Sequence, residues 1–117
     1  MRLFLRRHRK LNIERFTQSW QTLQKKCASR KTWPDALADA DALLDKALKQ
    51  SGYKGKTTGE RLVAAQHDLM SNDLVWFSHK FCQQMKDVDV RTLKKKQMAE
   101  ALIGYREALR DLGALKR

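Results

Sequence analysis

The stretch TWPDALADADALLDKALKQSG, residues 32–52, decides the fold. Thr32 reads as a helix N-cap, with Pro34 and Asp35 in the first turn, where a fixed proline φ and a negative charge both suit a helix start. Leu37, Ala40, Leu44 and Ala47 recur at steps of three and four, so they share one face of a helix. Gly52 supplies the residue that leaves the helix. A strand cannot use this pattern, because its side chains alternate every two residues.

The same period extends in both directions. Before the stretch, Ile13, Phe16, Trp20, Leu23 and Cys27 form a single apolar stripe. After it, YKGKTTGERLVAAQHDLM reads as a loop entering a short helix near Thr58. Asn72 is placed to cap a helix reaching Met85, with Leu74, Phe77, Phe81 and Met85 inward. Following DVDVR, Thr92 is placed to cap a last helix whose stripe is Met98, Ala101, Leu102, Tyr105, Ala108, Leu109 and Leu112, stopped by Gly113. One proline and five glycines in 117 residues leave little material for strand turns. The expected fold is all-α: an antiparallel four-helix bundle over residues 11–115, with a short extra helix and a basic arm at residues 1–10.

Charge is the strongest functional signal. The net charge is +12, and residues 1–31 hold ten Lys/Arg against a single acid. Arg2, Arg6, Arg7, Arg9 and Lys10 lie in the arm, with Leu3, Phe4 and Leu5 free to stack, wedge or pack. Arg15, Lys25, Lys26, Arg30 and Lys31 continue the charge along the first helix. Lys94, Lys95 and Lys96 begin the last helix, where cations oppose the helix dipole. Such clusters point to a polyanion, with RNA or a ribonucleoprotein favoured over anionic lipid. The arm, Arg15, Lys25, Lys26 and the three consecutive lysines are therefore the expected phosphate-contacting set.

Other constellations are weaker. Gly55, Lys56 and Thr57 resemble part of a phosphate-binding loop, but Gln50 stands where the pattern needs glycine, and a helix rather than a strand precedes it. Asp35, Asp39, Asp41 and Asp45 lack metal-loop spacing, and a solvated face or pairing with basic neighbours is expected. No metal and no cofactor are expected. Cys27 and Cys82 fall outside any CxxC or Cys/His spacing and read as free buried thiols. MRLFL is too short for a signal-peptide core, and the longest apolar run, residues 74–77, is far too short to span a bilayer, so a cytoplasmic protein is expected.

ALADADALLDKALKQSGYKGKTTGERL, DLVWFSHKF and AEALIGYREALRDLGAL together resemble the small HEPN-like helical bundles of small-genome bacteria, over roughly residues 16–115. The resemblance implies a four-helix fold and a homodimer surface. HEPN domains that cut RNA carry an arginine, a polar residue and a histidine in spacing close to RNxxxH. Those places fall here on Cys82, Gln83 and Asp87. Without arginine the phosphate loses a permanently charged donor, and without histidine proton transfer near neutrality loses its usual agent. A carboxylate at position 87 would repel phosphate. The resemblance thus implies a vacated site and a non-enzymatic protein, with His79 as a polar anchor between helices. Arg61 and His67 repeat an arginine-to-histidine spacing, but one helix too early. The rival expectation is a protein-interaction, dimerising module descended from such a nuclease.

Overall fold

The computed structural model describes residues 11–117, and the arm residues Arg2, Arg6, Arg7, Arg9 and Lys10 lie outside them. Among the described residues there are five α-helices: α1 Ile13–Lys26, α2 Trp33–Gln50, α3 Thr58–Ala65, α4 Asn72–Gln84 and α5 Lys95–Asp111. Short 3-10 turns occupy Arg30–Thr32, Met85–Asp87 and Val90–Thr92, and no strand occurs among the described residues. The described fold is all-helical.

Helix α2 is central, touching α1, α3, α4 and α5, while α4 and α5 make the most extensive pairing. Its buried face is the one read from sequence, Leu37, Ala40, Leu44 and Ala47, widened by Ala36, Leu43 and Leu48. Phe16, Trp20 and Leu23 of α1 close one side of the core, and Met98, Ala101, Tyr105, Ala108 and Leu109 of α5 the other. Gly52 and Gly113 take positive φ of 93° and 82° as the chain leaves α2 and α5, a region that disfavours a Cβ.

Three sequence expectations need correction. Thr32 sits at the α2 N-cap, yet its hydroxyl donates backwards to the Lys26 carbonyl at 2.5 Å instead of accepting from the helix. Asn72 is already inside α4; the backbone N–H groups of Met70 and Ser71 donate instead to the Asp111 carboxylate at 3.0 and 3.3 Å. Thr92 belongs to a 3-10 turn and the last helix begins only at Lys95.

The fourth difference is rotational. Of the α4 stripe Leu74, Phe77, Phe81 and Met85, only Phe81 is fully buried; Val75, Ser78, His79 and Cys82 join it, and the other three are half-buried, Phe77 and Met85 against the edge of the core. The cause is the crossing with α5. A Cβ on Gly104 would collide with Ser78 Oγ and stand 2.7 Å from the Leu74 carbonyl oxygen. Backbones this close require a small side chain on α4, and the Ser78 hydroxyl donates across to the Ala101 carbonyl at 2.6 Å. Seating Ser78 there turns the aromatic stripe aside and carries His79 into the interior.

Candidate functional site

Two features stand out, a basic end and a polar cleft. The α1–α2 corner and the segment entering α5 meet at one end of the molecule. The Arg30 guanidinium lies 4.4 Å from the Trp33 ring centroid and donates to the Leu93 carbonyl. Leu93 is buried and immediately precedes Lys94, Lys95 and Lys96, all exposed. Lys25 and Lys31 are likewise exposed, and none of these five lysines has a carboxylate partner among the described residues. Lys26 is committed differently: its ammonium meets Asp39 at 2.6 Å, and that hydrogen bond raises its pKa. Arg15 lies in the first turn of α1, at the opposite end of that helix from Lys25. Arg91, not singled out from sequence, forms a double contact with Asp89 at 2.7 and 3.0 Å. That pairing holds the Asp89 carboxyl below its usual range.

The cleft, about 330 Å³ in volume, opens between the middle of α2, the start of α3 and the last turns of α4. At its base His79 Nδ1 lies 2.8 Å from Asp41 Oδ1, and the same oxygen accepts from the Tyr105 hydroxyl, also at 2.8 Å. Facing a carboxylate, Nδ1 carries the proton, so the ring's orientation is fixed and Nε2 is left for other partners. Tyr105 is fully buried, and burial first, then the Asp41 charge, pushes its phenol far above the ordinary tyrosine range. Gln83 and Lys86 stand at the rim.

Cys82, Gln83 and Asp87 separate in space. Cys82 is buried beside this network, with burial, then the Asp41 charge, pushing its thiol up. Gln83 reaches the cleft, while Asp87 is exposed in a 3-10 turn. Arg61 is committed to Asp45 at 2.8 Å and His67 is exposed past the end of α3, so their spacing builds no pair. Cys27 is half-buried and its thiol also rises through burial. Iodoacetamide should therefore modify Cys27 before Cys82 in the native protein, with both rates rising and converging in denaturant. Equal native rates, followed by mass spectrometry, would contradict this packing of α4.

The sequence directed attention to His79 but not to its partners. Asp41 and Tyr105 lie 38 and 64 residues from the groups they meet, and no local spacing announces them. The available signal was chemical: an aspartate, a histidine and a tyrosine near the inward faces of three helices must satisfy one another. Among the described residues no helix is long and apolar enough to cross a membrane, and no three His, Cys, Asp or Glu side chains converge as a metal site.

These features define a small, basic, all-helical protein. No family model, curated protein or solved structure matches the chain.

Proposed function

We propose that this chain is a non-catalytic, cytoplasmic RNA-associated protein, an antiparallel four-helix bundle of HEPN-like descent that binds RNA or a ribonucleoprotein through phosphate contacts. The observation that carries the reading is the Arg30–Leu93 contact, which unites two lysine groups far apart in sequence at one end of the fold. Five lysines without carboxylate partners there gain by displacing condensed counterions from a polyanion. The residues of the basic arm would add to the same electrostatic term. Nothing in this set reads base edges, so the contacts position and do not specify. Family-type cleavage is not part of the reading, because Cys82 is a buried, protonated thiol and Asp87 an exposed carboxylate.

The test is RNA affinity as a function of salt. Replacing Lys94, Lys95 and Lys96 together by alanine should weaken binding and flatten the log–log salt slope by about 0.7 for each single-strand phosphate that is no longer neutralised. Deleting residues 1–10 should flatten it further. Binding no tighter than tens of micromolar at low salt, roughly the strength of non-specific association, would end the proposal. A dimeric mass in solution combined with negligible RNA affinity would favour the interaction-module reading instead.

A further inference from the structure

The polar cleft has features that packing alone does not explain. His79 is only 8% exposed at its side chain, yet Nε2 has no hydrogen-bond partner among the described residues and faces the opening. Opposite it lies Gly59, in the first turn of α3. Its φ is not positive, so the backbone does not demand glycine. A Cβ there would stand 3.7 Å from His79 Nε2 and 3.8 Å from Thr57 Oγ1, ordinary contact distances, so packing does not demand glycine either. Glycine in a helix carries an entropic penalty relative to alanine. What its presence does here is keep the space before Nε2 open.

The other groups around that space are donors, while His79 Nε2, with the ring proton on Nδ1, is an acceptor suited to the P–OH of a singly protonated phosphate. Thr57 Oγ1 accepts from the Glu60 N–H at 3.1 Å, which leaves its own hydrogen free. The N–H groups of Thr58 and Gly59 belong to the first turn and have no intrahelical acceptor. Lys86 adds a cation at the rim. The two nearby acids each hold donors on one oxygen: Asp41, which itself lines the cleft, holds His79 and Tyr105 on Oδ1, and Glu60 Oε1 holds the Lys56 N–H at 2.8 Å. A helix N-terminus, a threonine hydroxyl and a lysine supply donors and charge for phosphate oxygens, and the free ring nitrogen accepts from a P–OH, so together they suit a compact phosphate monoanion.

The geometry points to a binding site for a phosphomonoester group, seated on the first turn of α3 between His79 Nε2 and Lys86. The stretch that fails as a phosphate-binding loop in sequence thus contributes its threonines and Gly59 in another architecture. The site is distinct from the basic end, which meets backbone phosphates. Its ligand carries a terminal phosphate, either free, on a nucleotide, or at a strand end.

Amide NMR of the full chain tests this. Inorganic phosphate, a nucleoside 5′-monophosphate, and one oligoribonucleotide with a 5′-phosphate or a 5′-hydroxyl are titrated separately. The Thr58 and Gly59 amides and the His79 ring should shift with at least one phosphate-bearing probe and stay still with the 5′-hydroxyl strand. Which probe saturates lowest identifies the source. His79→Gln and Gly59→Val should each weaken binding of inorganic phosphate or the nucleotide by about tenfold or more, while the Lys94, Lys95 and Lys96 triple alanine variant leaves binding of these two small probes unchanged. Gly59→Ala, which fits without strain, narrows the cleft and should weaken it less. Unmoved amides at about 50 mM phosphate and with every other probe would overturn the proposal. So would equal shifts from both strands, or full affinity in folded Gly59→Val. Loss of RNA affinity in the lysine variant with an intact cleft response would leave this site standing, so the two proposals fail independently.

Discussion

Replacing Gly104 by alanine should lower the stability of the folded chain by about 3 kcal/mol, seen as a fall in Tm of roughly 10–15 °C. The direction runs against helix propensity, which favours alanine over glycine by about 1 kcal/mol in a helix interior. The methyl group would collide with Ser78 Oγ and come within 2.7 Å of the Leu74 carbonyl oxygen. Rotating Ser78 relieves only the first clash; the second is with backbone, so α4 and α5 must separate. That separation would also break the Ser78 hydrogen bond to Ala101. Combining Gly104→Ala with Ser78→Gly should therefore recover only part of the loss. Gly113→Ala is the comparison, since nothing lies within 4 Å of its Cβ position and only its φ of +82° opposes the change. It should cost about 1 kcal/mol. A Tm for Gly104→Ala equal to that of the parent would mean that the helices do not approach this closely.

The same crossing explains where the sequence was informative and where it was not. Helices α2 and α5 were legible because their apolar residues repeat at the helical period and glycines end both. Helix α4 was legible as a helix but not in its rotation. Leu74, Phe77, Phe81 and Met85 make the more hydrophobic stripe, and hydrophobicity alone selects it. Backbone proximity at Gly104 selects the neighbouring stripe through Ser78, and that requirement resides in α5, not α4. The candidate sites follow the same logic. Lys94, Lys95 and Lys96 were visible as a run, but their meeting with Arg30 depends on a hydrogen bond spanning 63 positions. His79 was visible as an anchor, whereas its ligand-facing nitrogen became apparent only once Asp41 had been found on the other one.

Tyr105→Phe should destabilise the protein by about 2 kcal/mol at neutral pH, and that difference should vanish near a pH of about 11.5. At neutral pH the phenol donates to Asp41 at 2.8 Å, and a buried hydrogen bond to a charged group is worth about 1.5–3 kcal/mol. The variant keeps the carboxylate in place with one donor fewer. The pH dependence follows from the raised pKa. Above the ordinary tyrosine value of 10.0, an unfolded chain releases the phenolic proton while the folded chain retains it. The native state then binds more protons than the unfolded state, so stability falls as pH rises, by about 1.4 kcal/mol per unit for this one group. An advantage of about 2 kcal/mol is consumed about 1.5 units above the unfolded value. Phenylalanine has no proton to lose, so the variant escapes this contribution. Titration of Cys27 is shared by both proteins and cancels in the difference; Cys82, whose thiol interacts with the Tyr105 hydroxyl, is removed from it by making both measurements in a Cys82→Ala background. Denaturant unfolding of parent and variant at intervals from neutral pH to about pH 12 measures the gap directly. A gap that stays constant across that range would show that Tyr105 titrates alike in both states, and would remove it from the buried network that holds Asp41 and His79 in place.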